Sequence, residues 1–421
     1  MPYLRRAVDQ QLDQLLPYVG AVAIDGAKAV GKTETALQRS SSVLRLDSRD
    51  DRELLESNPT FSAFPEGTIL IDEWQKKPES WDYVRRAVDA EKRKGRFLLT
   101  GSATPQVGVD THSGAGRILS VRMRPMALFE RPGAQPTVSL GQLIRVEGST
   151  EKDVEITGET EWEFRDYMQA IAHSGFPELL SVPNTARNEQ LDSYLRRIVD
   201  RDLPDQGYTV RNREGLLRWL TAYAAATATV TGYTQILDDA TAGETNKPAK
   251  TTTAKYREKL EEIWMLDPLP AWNHRLHPLP GLVKSPKHHL ADPAFVMRLI
   301  GITERSLLDE YHRTHIGPLF ESLATLTVRV AAEAHFARVG HLKALKGERE
   351  VDLIVHGQDG EILPIEVKLA STVDSHDVRH LLWLKEKFPQ EVVDMVVLTT
   401  GRRAYRRTDG VAVVPLSLLG L

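Results

Sequence analysis

The sequence predicts an α/β protein in three parts: a parallel sheet with helical crossovers at the N-terminus, a helical middle region and a second α/β domain at the C-terminus. Three observations predict it. Short apolar runs alternate with helical stretches from about residue 21 to 101, as strands joined by crossover helices do. From about 161 to 300, Trp, Tyr and Leu recur at helical spacing. After about residue 305 a long helical stretch leads into strand-like runs.

The elements follow in order. Residues 1–20 read as an amphipathic helix. Ala21–Asp25 is a strand, Lys32–Arg39 begins a helix, and Val43–Leu46 and Thr68–Asp72 are further strands. A helix around Trp81–Lys94 precedes a fourth strand, Arg96–Thr100. The strands of the last part are Glu350–Val355, Ile362–Leu369 and Val392–Leu398. The expected division is 1–132, a nucleotide-type sheet domain; 133–160, a surface connection or insertion; 161–304, the helical region; and 305–421, the second α/β domain.

With 41% apolar residues the chain of 421 can build sizeable cores. A formal net charge of −4 argues against a chain-wide nucleic-acid coat but leaves room for one basic face. The absence of Cys excludes disulfides, zinc–thiolate sites and Cys nucleophiles, and fits a reducing compartment. Acids and glutamines interrupt Met1–Leu16, so it is no secretory signal, and no apolar run is long enough to cross a bilayer. A soluble, cytoplasmic protein without membrane partners is expected. The Ala-rich run Ala222–Val230 reads as a packed core helix.

Gly26-Ala27-Lys28-Ala29-Val30-Gly31-Lys32-Thr33 matches the G-x-x-x-x-G-K-[ST] phosphate loop, with a strand before it and a helix from Glu34 after it. The glycines allow a tight turn that aims N–H groups at phosphate oxygens, and the helix adds its positive end. Lys32 should reach the β- and γ-phosphates of ATP, and Thr33 should offer its hydroxyl to Mg²⁺. The strand Thr68–Asp72 ends in two acids. Asp72 is placed to hold Mg²⁺, and Glu73 to orient or deprotonate the attacking water. The next buried strand ends in Thr100-Gly101-Ser102, where Thr100 or Ser102 is either a γ-phosphate sensor or part of a plain turn. Arg117, in Ser113-Gly-Ala-Gly-Arg117, is a candidate for stabilising transferring charge in cis or in trans. Arg122 and Arg124 compete for that role, and a solvated surface arginine is an equal reading.

This phosphate loop, Ile71–Gln75, Leu99–Ser102 and Gly116-Arg117 through Pro125–Glu130 resemble prokaryotic AAA-type ATPases of the origin-recognition-like branch. Gly175-Phe-Pro-Glu178, Tyr194–Asp202 and Ser285–Pro293 look like the domain of unknown function that those ATPases carry. The resemblance implies an AAA-like domain, a winged-helix segment and a C-terminal fold similar to restriction endonucleases. Gly133–Thr160 departs from it and is expected to be an insertion.

Two further regions have a chemistry to test. Tyr233–Ala240 and Thr252–Ile263 read as two helices, with Trp264–Trp272 as a wing. Lys247, Lys250, Lys255, Arg257 and Lys259 would contact DNA phosphates, although Glu258, Glu261 and Glu262 share the helix. The other reading is a solvated helical face. At the C-terminus, Asp352 (with Glu350 on its face) and the pair Glu366 and Lys368 would converge if their strands are neighbours. They resemble the Asp…Glu-x-Lys site of restriction-type nucleases, which Glu321 could join, with carboxylates for Mg²⁺ and Lys368 polarising water. Alternating charges on a half-exposed strand are the plainer explanation. His288-His289 lacks a third ligand at metal spacing and reads as two core or surface histidines. Neither Ser174-Gly175 nor Gly101-Ser102 forms a nucleophile elbow.

The function expected from these residues is Mg²⁺-dependent ATP binding and hydrolysis that switches the C-terminal parts, with DNA, a protein or self-association as the partner. An ATP-gated DNA-binding regulator with little turnover and an ATP-controlled nuclease are the alternatives.

Overall fold

The computed structural model describes residues 3–102, 116–145, 154–243, 248–307, 309 and 312–421. Its N-terminal part is a parallel sheet of β1 (Ala21–Asp25), β2 (Ser42–Arg45), β3 (Ile69–Asp72), β4 (Phe97–Gly101) and β5 (Ile118–Arg122). Their order is β2-β3-β4-β1-β5. Helices cover both faces, which is why β1, β3 and β4 are continuous apolar runs rather than alternating ones. Because β1 and β3 flank β4 in parallel, the loops that leave Asp25, Asp72 and Gly101 emerge along one edge.

The stretch expected as a surface connection is packed in part. β6 (Val138–Ser139) and the short helix Leu140–Leu143 bury Val138, Leu140 and Leu143, and Ile144 and Ile156 join the same core. The apolar residues spaced through this stretch need a partner surface, and the end of the chain supplies one. Residues 146–153 lie outside the described residues.

The middle region is helical. Helix Arg213–Ala225 buries Leu216, Trp219, Leu220 and Tyr223, so the Ala-rich run begins in a core helix as expected. Tyr233–Ala240 and Lys250–Glu262 are helices, but Trp264–Trp272 is no projecting wing. Met265, Leu266, Leu269 and Trp272 are buried, and bridges join Leu266 to Leu290, Leu269 to Lys287 and Ala271 to His341. An apolar segment that contains Pro268 and Pro270 gains more from packing between two bodies than from entering solvent.

Helix Arg313–Ala334 leads into a six-stranded sheet of β7 (Arg338–Lys343), β8 (Glu350–His356), β9 (Ile362–Val367), β10 (Val396–Thr399), β11 (Tyr405–Arg406) and β12 (Ala412–Pro415), ordered β11-β12-β10-β9-β8-β7. The last strand, β13 (Leu419–Gly420), pairs in parallel with β6. The N-terminal helix, Ala7–Leu15, packs beside Arg313–Ala334 through Ala7, Leu326, Val330 and Ala334. One apolar core therefore runs through all three parts, from Val8 to Leu419. No helix among the described residues is long and apolar enough to cross a membrane.

Candidate functional site

The phosphate loop is held open by backbone that only small residues tolerate. Gly26 has φ +156°, and a Cβ there would sit 2.1 Å from the carbonyl oxygen of Met123. Gly31, with φ +103°, starts the helix Lys32–Leu37. Val30 is buried, and its carbonyl accepts a hydrogen bond from Arg6 at 2.8 Å. In this state Lys32 folds back into its own loop, donating to the carbonyls of Gly26 at 2.9 Å and Ala27 at 2.7 Å. Burial pushes its ammonium down to about 8, against the pull of Glu73, Asp25 and Asp72. Burial also raises Asp25, at the tip of β1.

Asp72 lies across from the loop. Thr33 Oγ1 donates to Asp72 Oδ1 at 2.8 Å, and Thr100 Oγ1 donates to the same oxygen. Thr100, expected as a phosphate sensor or a turn residue, thus orients the acid. Glu73 has left-handed backbone, φ +54°, which turns its carboxylate away from the line of β3. Gln75 Nε2 donates to it, as does Ser102 Oγ at 3.4 Å, while Gln75 also reaches Ser102 at 3.1 Å. A cleft of about 660 Å³ opens above the loop, within the usual size of small-molecule sites. Lys32, Thr33, Glu34 and Glu73 line one side, and Tyr3, Pro177 and Glu178 line another.

The middle region touches this loop directly. Lys28 pairs with Asp202, and Tyr194 donates its hydroxyl to the Lys28 carbonyl at 3.2 Å. Asp202 ends a π-helical turn, Ile198–Asp202, that continues helix Asn184–Arg197. Tyr194 packs against Phe176 and Phe295, and Asp292 accepts hydrogen bonds from Ser174 Oγ at 2.9 Å and the Gly175 amide at 2.6 Å. The three later sequence motifs meet in this one place. The sequence reading quoted them but assigned none to the site. Their signal is a concentration of Gly, Pro, Tyr, His and Asp, in one helix end, Tyr194–Asp202, and two loop segments.

The arginine expectation fails within one chain. Arg117 precedes β5, whose Ile118 is level with Ala21 at the start of β1, whereas the phosphate loop leaves the far end. Four residues of strand separate the two edges by about 13 Å. Arg117 instead pairs with Asp89 at 3.0 Å, and Ser113–Ala115 lie outside the described residues. Arg122 and Arg124 are spoken for by Asp267, at 2.9 and 2.6 Å. His288 and His289 are core histidines, bonded to the Thr231 carbonyl at 2.7 Å and to Ser322 at 3.3 Å.

The proposed DNA-binding cations are partly neutralised. Arg257 stacks over the Tyr233 ring and lies 3.9 Å from Glu261, and Lys259 bonds Glu262 at 2.7 Å. Lys247 lies outside the described residues.

At the C-terminal carboxylates the strands are neighbours. The antiparallel register of β8 and β9, Leu353 opposite Ile365, brings Asp352 beside Glu366. Lys368 donates to Glu366 at 2.9 Å, and the Val367 amide donates to Asp352 Oδ2 at 3.0 Å. The residue at the centre, Lys287, lies in the Ser285–Pro293 motif, where nothing in the sequence marks it as a partner of these acids. Lys287 Nζ lies 2.8 Å from Glu321, 3.0 Å from Asp352 and 3.2 Å from Glu350. Burial works to raise Asp352, but Lys287 and the Val367 amide outweigh it and hold it low. Burial and the charge of Asp352 push Glu321 up to about 7 and Glu366 up to about 8.

Comparison with known proteins matches three spans of the chain. Residues 19–131 match a family described as AAA domain. Residues 164–306 and 316–419 match two families described as domains of unknown function, DUF8612 and DUF4143. The chain is 23% identical to Uncharacterized protein Rv2008c of Mycobacterium tuberculosis and to Uncharacterized protein Mb2031c of Mycobacterium bovis, over 98% of its own length and 83% of theirs. Among solved structures, the Walker-type ATPase PABY2304 of Pyrococcus abyssi aligns with TM-score 0.42 and 13% identity, over 70% of this chain and 96% of that one. The ORC2 protein of Aeropyrum pernix aligns with TM-score 0.27 and 12% identity, over 69% and 88%. The N-terminal match supports an AAA-type P-loop domain and ATP binding there. The C-terminal match, to a domain of unknown function, does not extend to a restriction-endonuclease fold.

Proposed function

We propose that this chain is a Mg²⁺-dependent ATPase of the AAA type that passes the state of its nucleotide to the helical region and the C-terminal sheet. The observation that carries the reading is the 2.8 Å contact between Thr33 Oγ1 and Asp72 Oδ1 at the mouth of a glycine-bounded loop. A hydroxyl and a carboxylate are hard oxygen donors, the set Mg²⁺ prefers. Bound there, Mg²⁺ supplies charge neutralisation to the transferring phosphoryl group.

The chain's own residues do the rest. The loop amides from Ala27 to Thr33 cradle the phosphates, and Lys32 leaves the carbonyls of Gly26 and Ala27 for the β- and γ-phosphate oxygens. Thr100 keeps Asp72 aimed at the loop. Glu73, held by Gln75 and Ser102, orients the attacking water and accepts its proton. Lys28 supplies the coupling: phosphate in the loop competes with Asp202 for its ammonium, so the π-helical turn is gripped differently with and without nucleotide.

The division into an AAA-like domain to 132, a helical region over 161–304 and a C-terminal domain from 305 is supported by the spans of the three family matches. The cation pairing on helix Lys250–Glu262 favours a protein partner or self-association over DNA. The absence of Cys supports a cytoplasmic setting. Binding of a fluorescent ATP analogue and ATP turnover, each with and without DNA, test the reading. A Lys32→Ala chain that binds ATP with unchanged affinity would remove it, and stimulation by DNA would restore DNA as partner.

A further inference from the structure

We propose that the carboxylate cluster of the C-terminal sheet is a built-in cation site, filled by the Lys287 ammonium where a metal-dependent nuclease would hold a divalent ion. This goes beyond the ATPase reading and does not depend on it.

The geometry is that of an ammonium ringed by carboxylates, with hydrogen bonds to Glu321 and Asp352 and an ion pair with Glu350. A lysine offers three N–H donors, and Lys287 Nζ has three carboxylate oxygens around it, from Glu321 at 2.8 Å, Asp352 at 3.0 Å and Glu350 at 3.2 Å. Its side chain is 1% exposed. These are hydrogen-bond lengths, whereas Mg²⁺ draws oxygens to about 2.0–2.1 Å and keeps several waters. The outer oxygen of Asp352 is committed to the Val367 amide, Glu366 accepts from Lys368 through Oε1 while its buried Oε2 has no partner, and Glu350 also pairs with Lys343 at 2.8 Å. With Lys287 against Glu321, Asp352 and Glu350, Glu366 Oε2 is the buried oxygen left unpartnered, and one oxygen is too few to hold a divalent ion.

The ammonium is delivered by backbone pairing. Lys287 exchanges hydrogen bonds with Leu269, its N–H to Leu269 O and the Leu269 N–H to Lys287 O, both at 2.9 Å. His341, on β7, donates through Nε2 to the Ser285 carbonyl, 3.0 Å away. The charge therefore arrives on a segment of the helical region and binds acids from helix Arg313–Ala334 (Glu321) and β8 (Glu350, Asp352). Removing a metal frees a site, but this cation is covalently part of the neighbouring region, so the cluster ties the two regions together permanently.

The test is Mn²⁺ binding followed by electron paramagnetic resonance on the full chain. It is done without nucleotide and in an Asp72→Asn background, so that the phosphate-loop position is silent. With Lys287 present, no Mn²⁺ equivalent should bind at the cluster. Lys287→Ala should bind one equivalent, and Lys287→Ala with Asp352→Asn should bind none. One equivalent bound in the presence of Lys287 and lost on Asp352→Asn would overturn the proposal, as would a folded Lys287→Ala chain that binds none. If Lys287→Ala cannot be isolated folded, Lys287→Met keeps the apolar stem. Its melting temperature should fall below that of the parent and be raised again by millimolar Mn²⁺. Failure of Mn²⁺ to raise it would likewise overturn the proposal.

Discussion

Lys32 and Glu73 show how much a single residue's surroundings decide. Burial disfavours the charge of Lys32 and pushes its ammonium down to about 8. Only the protonated form serves a phosphate. ATP affinity should therefore be flat below that value and weaken by up to about tenfold per pH unit above it. Titration of a fluorescent ATP analogue between about pH 7 and 9.5 measures this; a flat profile across the range would contradict the Lys32 assignment. Glu73 is separable from binding because its partners, Gln75 and Ser102, are not in the loop. Glu73→Gln should leave ATP affinity within about twofold and lower turnover by about 10²–10⁴-fold. Equal loss of both would make Glu73 a binding group.

At the level of elements, the junction between loop and helical region is the sensitive point. The Lys28–Asp202 pair is partly exposed, with the Lys28 side chain 47% accessible, so its free energy is modest. Asp202→Asn should free Lys28 for phosphate and tighten ATP binding by about two- to fivefold. Weaker binding instead would show that Asp202 shapes the loop rather than competing for it. Gly175 marks a second close approach: Met126 N–H donates to the Gly175 carbonyl at 2.6 Å, and a Cβ on Gly175 would lie 2.6 Å from Met126 O. Gly175→Ala forces two backbones apart and should cost about 1–3 kcal/mol, read as a lower denaturation midpoint. An unchanged midpoint would mean the helical region yields at no cost.

For the whole molecule, Asp267 is the hub. It is buried among Arg122, Arg124 and Arg329, at 2.9, 2.6 and 3.0 Å, and so joins β5, the segment after helix Lys250–Glu262 and the long helix Arg313–Ala334. Burial works to raise its carboxyl, but the three guanidiniums prevail and hold it far below the carboxylate range. For a depressed acid, the stabilisation is complete above the unfolded value of about 3.9 and is withdrawn as pH falls below it. At neutral pH, Asp267→Asn strands buried positive charge and should cost about 3–5 kcal/mol. Calorimetry should then show an earlier unfolding transition, and an undisturbed one would deny the hub its role.

Much of the N-terminal site was legible because its chemistry is local. Gly26 to Thr33 are contiguous, and strand ends announce themselves as apolar runs that stop at Asp72 or Thr100, so the sequence alone determined the loop, its acids and the parallel sheet. Alternation likewise put Asp352 and Glu366 on strand faces and made their meeting conditional on one pairing. What only the tertiary structure decided depends on long-range approach. Lys287 reaches acids 34 to 65 positions away, and Asp202 reaches a lysine 174 positions away. Arg117 falls on the far edge of the sheet, and Val138, Leu140, Leu143 and Ile144 are packed rather than exposed. Periodicity and spacing record which face a residue occupies, but the partner on that face comes from other parts of the chain. A buried charge is stable only when that partner arrives, so the ion clusters were the last features that sequence could disclose.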